Sequence, residues 1–389
     1  MTKRNILLTP GPTPVPPQVL EAMSRPIFHH RTPQYRQIFA QVTEGLKQIF
    51  QTKNDVYTFT SSGTGAMEAA IVNFLSPGDT IIAAYAGKFG ERWLDLGRAY
   101  GMHVIDLKVP YGEAISPKLI EKALKENPKT KAVYFTHCET STGVTHDVQG
   151  IAGVVAKTQA ISVVDAISGL GADELKQDAW GVDVVVSGSQ KALMLPPGLA
   201  FLGVSTKARE LNKSATCPRF YYDLKLYQKA LADFDTPFTS ALTLVIALQE
   251  ALKIIKEKTL EGHLKETGAL AEATRAAMRA IGLELFAKER LSNALTAVKI
   301  PAGIDGEKLV NTMRDQKGVT LAGGQGEIKG KIFRIAHMGY ITKEDLLAGI
   351  DVLCETLTEF GFKCSGVQAK EQFTKILNEN KNRFEKVAR

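Results

Sequence analysis

Apolar and polar positions along this chain change period once, near its middle. Between residues 55 and 204, apolar runs of five or six residues recur. They are Asp55–Thr60, Thr80–Tyr85, His103–Leu107, Ala132–Thr136, Ile161–Asp165, Asp183–Ser187 and Ala200–Val204. Short runs rich in β-branched and aromatic residues, bounded by turn signals, predict strands. Helical stretches fall between several of them. Ala66–Leu75 is one, stopped by Ser76-Pro77-Gly78-Asp79, and Gly90–Tyr100 is another. This alternation predicts an α/β fold with a mostly parallel sheet flanked by helices. After Pro237 the apolar period lengthens. Ala241–Lys258 and His263–Ala280 predict long amphipathic helices. Strands at Ala294–Ile300 and Lys331–Ile335, with a helix near Glu307–Gln316 between them, predict a small α+β C-terminal domain. The prolines from Pro10 to Pro17 predict an extended N-terminal arm that is not helical. We therefore expect an arm at 1–25, a large domain at 26–262 and a small domain at 263–389.

Composition narrows the function classes. The 389 residues are 44% hydrophobic and 23% charged, an ordinary globular balance. No apolar run approaches the roughly 18 residues of a membrane span. The opening Met1–Pro10 holds too short an apolar stretch for a secretory signal, and Lys386-Val387-Ala388-Arg389 is not a peroxisomal address. The expected location is the cytoplasm. Cys138, Cys217, Cys354 and Cys364 form no paired motif, which favours reduced thiols over a disulfide frame or a metal site. The net charge of +7 invites a nucleic-acid reading. The Lys and Arg residues are interspersed with acids, however, as in 250–265 and 370–389. They read as solvated helix faces, and no nucleic-acid partner is expected.

Candidate chemistry lies at the ends of the apolar runs. Val184-Val185-Val186-Ser187-Gly188-Ser189-Gln190 leads into Lys191. A lysine behind a buried strand is partly desolvated, and desolvation frees its amine as a nucleophile. Standing alone, such a residue more often ends a strand at the surface. Thr60-Ser61-Ser62-Gly63-Thr64-Gly65 joins a strand to a helix. Its small residues let backbone N–H groups approach a phosphate at a helix N-terminus. It matches neither the dinucleotide fingerprint nor a P-loop, and a plain glycine-rich turn is the alternative. Asp165 ends an apolar strand, where a carboxylate can hold a ring nitrogen protonated or simply cap a helix. Phe89 lies just before Gly90, placed to stack on a flat cofactor or to fill the core. Arg334 interrupts the apolar strand Ile332-Phe333-Arg334-Ile335 and needs either a substrate carboxylate or an internal acid.

These features, in this order, resemble the class V aminotransferases of the fold-type I pyridoxal-phosphate enzymes, and within them the alanine–glyoxylate, serine–glyoxylate and serine–pyruvate branch. The resemblance covers nearly the whole chain. It rests on Leu8-Thr9-Pro10-Gly11-Pro12-Thr13-Pro14, Gly65-Ala66-Met67-Glu68, Glu139-Thr140-Ser141-Thr142-Gly143-Val144 and Ser187-Gly188-Ser189-Gln190-Lys191-Ala192-Leu193 with Pro196-Pro197-Gly198. It implies pyridoxal 5'-phosphate held as a Schiff base on Lys191, which also moves the substrate's α-proton. Asp165 would bind the pyridine nitrogen, Phe89 would stack on the ring and Thr140 would contact the ring or its 3-oxygen. Ser62, Gly63, Thr64 and Gln190 would hold the phosphate, and Arg334 the substrate α-carboxylate. Thr236 would reach the phosphate of a partner subunit in a homodimer. Three residues earlier, where relatives often carry Tyr, stands Asp233, which is unsuited to that contact.

The implied reaction is ping-pong transfer of an amino group from alanine or serine to glyoxylate or pyruvate, with aspartate as the alternative donor. Arg31 is a candidate for a distal acid group, with a salt bridge as the other reading. Two rival functions stand beside this one. A cysteine-dependent lyase would need a cysteine on the loop Leu321–Gly326, which has none. A non-catalytic subunit would have lost part of the set Lys191, Asp165 and Arg334.

Overall fold

The structure, a computed structural model, describes residues 5–387. Seven strands form the central sheet: β1 (Val56–Ser61), β2 (Thr80–Tyr85), β3 (His103–Lys108), β4 (Ala132–Thr136), β5 (Ile161–Asp165), β6 (Val184–Gly188) and β7 (Gly198–Val204). Their spatial order is β1-β7-β6-β5-β4-β2-β3. All pairings are parallel except those of β7, which runs antiparallel to both β1 and β6. Three of the strands predicted from the sequence coincide with observed ones to the residue, and the others shift by one or two positions.

The continuous apolar character of β4, β5 and β6 follows from burial on both faces. Ile82, Ala84, Val133, Phe135, Val164 and Val185 face one core, with helices Pro33–Phe50, Val148–Val155 and Leu242–Lys258. The alternate residues Ile81, Ala83, Tyr134, Val163, Val184 and Val186 face a second core, with helices Gly63–Val72 and Glu91–Ala99. Edge strand β3 is only partly covered, and its polar residues His103, Asp106 and Lys108 mark that exposure.

The C-terminal part builds a three-stranded antiparallel sheet from β8 (Leu295–Lys299), β9 (Ala322–Gly323) and β10 (Ile332–Ala336), in the order β8-β10-β9. Helices Gly306–Asp315, Lys343–Glu359 and Gly366–Val387 belong with it. The helix expected from His263 starts at Leu260 and runs to Ala280. The division expected after residue 262 therefore falls in its first turn.

Two expectations need correction. The arm is extended only as far as Pro16. Pro17 then opens a helix, Pro17–Met23, because a proline at the first helical position gives up an N–H that has no partner there anyway. The arm also belongs to the small domain's core: Ile6–Leu7 pairs in parallel with Val319–Thr320, and Leu8 is fully buried among Val319, Leu346 and Ile350. The second correction concerns the cysteines. Cys138 and Cys217 are free and buried, but Cys354 and Cys364 form a disulfide. The helix ends at Glu359 and the chain turns back at Gly361, which brings the two Cα atoms to 5.3 Å.

Candidate active site

Parallel strands deliver their following loops to one edge of the sheet, and this edge carries the candidate residues. The loop after β1 holds Ser62, Gly63 and Thr64. The loop after β2 holds Phe89, and the segment after β4 holds Thr140. Asp165 is the last residue of β5, and Gln190 and Lys191 follow β6. Arg334 comes from β10 of the small domain, yet its guanidinium donates to the Thr140 carbonyl at 2.9 Å. Sequence positions almost 200 residues apart thus meet.

Lys191 opens the tight loop that reverses the chain from β6 into antiparallel β7. Ser189 fixes this loop by donating to the Pro196 carbonyl at 2.7 Å and accepting from the Leu199 N–H at 3.2 Å. The Met194 N–H returns to the Lys191 carbonyl, and Met194 itself adopts left-handed backbone with φ 59°. The lysine side chain is buried, with its amine donating to the Pro10 carbonyl. Burial brings its pKa down to about 8. At pH 7 about a tenth of the amine is therefore unprotonated, far more than for an ordinary lysine, which favours its use as a nucleophile and proton carrier.

Asp165 is buried and its carboxyl is pushed up to about 6, chiefly by burial. One oxygen accepts the Ile167 N–H at 2.8 Å. Among the described residues, no cation pairs with it. A carboxylate so placed calls for a positive partner from a bound molecule.

The Ser62–Thr64 loop opens helix Gly63–Val72 without a side-chain cap. The Gly65 N–H turns back to the Ser62 carbonyl at 2.9 Å, leaving the N–H groups of Gly63 and Thr64 facing the helix start, where an anion can bind. The helix starts three residues earlier than the expected Ala66, and so brings Gly63 and Thr64 into its first turn. Side chains would not fit here. A Cβ on Gly63 would stand 2.5 Å from Ile167, and one on Gly65 would stand 2.0 Å from the Ser61 hydroxyl. The Gln190 side-chain oxygen is buried without a partner, available to something bound beside this loop.

Phe89 is half-buried, and the loop carrying it is tied down by Glu139. This fully buried carboxylate accepts the N–H groups of Phe89 at 3.3 Å, Gly90 at 2.8 Å and Ser141 at 3.0 Å, and it also accepts the Ser141 hydroxyl. Thr140, the next residue, donates its hydroxyl to Ser168 at 2.7 Å.

Arg334 is buried in β10 between Ala297 and Ala322. Its guanidinium donates to the carbonyls of Gly323, at 3.0 and 2.7 Å, and of Thr140. Burial pulls its pKa down to about 10. The internal-acid alternative is not realised: among the described residues, no carboxylate lies within ion-pair distance of it. A guanidinium so placed can take a carboxylate from a bound molecule as its counter-charge.

Two candidates stay apart from this group. Arg31 pairs with Asp235 at 2.8 Å and donates to the Thr236 carbonyl at 2.6 Å, which is the salt-bridge reading, made within one chain. Thr236 is buried and donates to the Phe238 carbonyl. No described hydrogen bond links it to Lys191 or Asp165. Asp233 is exposed nearby.

Several contributors escaped the sequence reading. Pro10 and Gly11 touch the lysine amine, Glu139 holds the aromatic loop, Ile167 crowds Gly63, and Arg92 donates to the Thr64 hydroxyl at 2.9 Å. Glu139 and Gly11 stood inside the motifs quoted above. Only the fold shows what they touch.

A buried amine, a buried carboxylate lacking a cation, a half-buried aromatic, an uncapped helix start and a buried guanidinium lacking an anion share one edge. This donor set fits a flat phosphorylated aldehyde with a basic ring nitrogen, together with an amino acid's carboxylate.

Comparison with known proteins agrees with the geometry. A family profile described as "Aminotransferase class-V" matches residues 6–346. The chain is 43% identical to the soluble hydrogenase small subunit of a Synechococcus species, over 93% of this chain and 95% of that one. It is 34% identical to L-aspartate–glyoxylate aminotransferase of Paracoccus denitrificans, over 96% of each. Among solved structures, the alanine–glyoxylate aminotransferase of a Nostoc species superposes with a TM-score of 0.88 at 30% identity, covering 92% of this chain and 96% of that one. The profile spans most of the chain and the relatives span nearly all of it, so the chain belongs to the class V aminotransferases and is a transaminase of the fold-type I α/β architecture.

Proposed function

We propose that this enzyme moves the amino group of alanine or serine to a 2-oxo acid, glyoxylate or pyruvate, with pyridoxal 5'-phosphate as cofactor. The observation that carries the reading is the convergence of buried Lys191, Asp165 and Arg334, each lacking the counter-group that cofactor or substrate would bring. When bound, pyridoxal phosphate supplies a carbonyl that exchanges with amines and a ring that takes up the electron pair of the α-carbon. Lys191 would hold the cofactor's aldehyde carbon through Nζ, and its amine would serve as the proton carrier at the substrate's α-carbon. Asp165 holds the ring nitrogen protonated, Phe89 covers one ring face, and Thr140 contacts the ring or its 3-oxygen. Ser62, Gly63, Thr64 and Gln190 hold the phosphate. Arg334 binds the α-carboxylate bidentately and so orients the α-hydrogen toward Lys191.

The relative acting on aspartate and the structural neighbour named for alanine leave donor choice to this chain's own residues. Arg31, the residue considered for a second acid group, is already held by Asp235. This supports a small donor over aspartate. The reading further carries a homodimer in which Thr236 reaches the partner's phosphate, and a cytoplasmic location. Among the described residues, no helix is long and apolar enough to cross a membrane.

The test is visible absorbance of the holoenzyme while L-alanine, L-serine and L-aspartate are added singly without an acceptor. Loss of the lysine-bound cofactor's band with alanine or serine, and not with aspartate, is the expected result. A second reading, a subunit of a larger complex, is favoured by the Synechococcus relative, which is named as a hydrogenase small subunit. A protein that binds the cofactor and converts none of the three donors would support it.

A further inference from the structure

Arg92 occupies the first turn of helix Glu91–Ala99, and its N–H returns to the Phe89 carbonyl at 3.3 Å. Its guanidinium does two things at once. One nitrogen donates to the Thr64 hydroxyl at 2.9 Å, and the guanidinium carbon stands 5.6 Å from the Phe89 ring centroid. Thr64 lies on the loop assigned to the phosphate, and Phe89 is the residue assigned to the ring. Arg92 is therefore the side chain that joins the two. Among the described residues, no carboxylate lies within ion-pair distance of it. A guanidinium carries five N–H donors, and the Thr64 contact uses one. Its charge is also felt at the two central groups, where it favours the ionised form of Asp165 and the neutral form of Lys191.

We propose that Arg92 is a positioning residue that supplies the positive charge for the cofactor's phosphate and locks the phosphate loop to the ring-stacking Phe89. The proposal rests on the reading of this site as a pyridoxal-phosphate site. The uncapped helix start supplies dipoles but no full charge, and Ser62, Gly63, Thr64 and Gln190 are all neutral. A phosphate dianion placed there without Arg92 would lack a cation from its own loops.

The test compares equilibrium binding of pyridoxal phosphate and of pyridoxal, which lacks the phosphate, to apoenzyme, read from the visible band that each gives on Lys191. For Arg92→Met we expect pyridoxal phosphate affinity to fall about 10- to 100-fold, the range for one lost charge-assisted hydrogen bond. Pyridoxal affinity should change by less than about threefold. Arg92→Lys, which keeps the charge without the planar fork, should recover part of the loss. Arg92→Gln replaces Arg92→Met if the latter does not fold, with the same expected selectivity. Equal losses for both ligands would mean that Arg92 acts only by packing against Phe89, and no loss for either would remove it from the site. Both results overturn the proposal. Wild-type apoenzyme that binds neither ligand would instead refute the reading of the site itself.

Discussion

Gly11 lies directly against the amine of Lys191. A Cβ built on Gly11 would stand 2.4 Å from Nζ and 2.5 Å from Cε, and the backbone there has φ +113°, where L side chains are strained. The preceding residue, Pro10, offers the carbonyl that holds the amine. The N-terminal arm is thus a wall of the active site. The Gly11→Ala variant should displace the lysine and lower the rate of the first half-reaction by at least about 100-fold, the scale expected for a misplacement near 1 Å. Stopped-flow absorbance with alanine as donor checks this. Wild-type rates in the variant would show that the arm yields freely.

Burial of Lys191 brings its pKa to about 8, and this sets the pH dependence of cofactor uptake. Only the neutral amine attacks a carbonyl. The bimolecular rate of apoenzyme with pyridoxal phosphate should therefore rise about tenfold per pH unit below about 8 and level off above it. An ordinary lysine would keep rising toward its usual value of 10.5. Rates followed from pH 6 to 10 separate the two curves.

Arg334 makes all its observed hydrogen bonds to backbone carbonyls, which keep it in place whether or not substrate is present. Arg334→Lys should retain the charge and lose the planar fork. We expect KM for the amino donor to rise about 10- to 100-fold, as for a lost charge-assisted hydrogen bond, while cofactor content stays unchanged. Steady-state kinetics with parallel cofactor titration measures both. A fall in cofactor content of the same size would mean that Arg334 shapes the cofactor pocket instead.

Much of this site was legible before the fold was known, because strand ends write their own signature. The Ile161–Asp165 and Asp183–Ser187 runs mark Asp165 and Lys191 as candidates by position, but position alone left a helix cap and a surface lysine as the commoner readings, and the family resemblance supplied their roles. Arg334 stood out as a charge inside an apolar strand. Other contributors carry no such mark. Pro10 and Gly11 reach Lys191 because Leu8 is anchored in the small domain's core on one side and Thr13 donates to the Gln190 and Lys191 carbonyls on the other, contacts between distant parts of the chain. Arg92 looks like any charged residue on a helix until Thr64 is placed beside it. The Cys354–Cys364 pair depends on a turn at Gly361, and the ten-residue spacing alone does not specify it.

Asp165 links function to stability with a definite sign. In the cofactor-free enzyme its carboxyl holds its proton to about pH 6, against 3.8 ordinarily, chiefly because it is buried. Between those values the folded state binds more protons than the unfolded chain, so stability falls as pH rises from about 4 to 6. The shift corresponds to about 3 kcal/mol at full ionisation. Asp165→Asn carries no ionisable group and should lack this decline. Apoenzyme of the variant is expected to be the more stable protein at pH 7 and the poorer cofactor binder. Urea denaturation of both apoproteins at pH 4.5 and 7 tests the sign, and a wild type that gained stability over that range would contradict the burial argument.

Glu139 presents the opposite case, a buried carboxylate that accepts four hydrogen bonds from its own chain. Its acceptor bonds to Phe89, Gly90 and Ser141 join the loop after β2 to the segment after β4. Burial raises its pKa, and the hydrogen bonds from Ser141 and the backbone pull the other way. Glu139→Gln keeps the shape but turns one acceptor into a donor facing N–H groups, which leaves buried donors unpaired. Because Phe89 and Thr140 hang on this residue from either side, the variant should loosen ring stacking and the Thr140–Arg334 contact together. We expect both cofactor affinity and donor KM to worsen by about tenfold, with the visible band shifted or broadened as the ring environment changes. Glu139→Asp, which keeps the acceptors on a shorter arm, should show a smaller loss of both. A Glu139→Gln enzyme with normal cofactor binding and a normal band would show that the aromatic loop holds its place without the carboxylate.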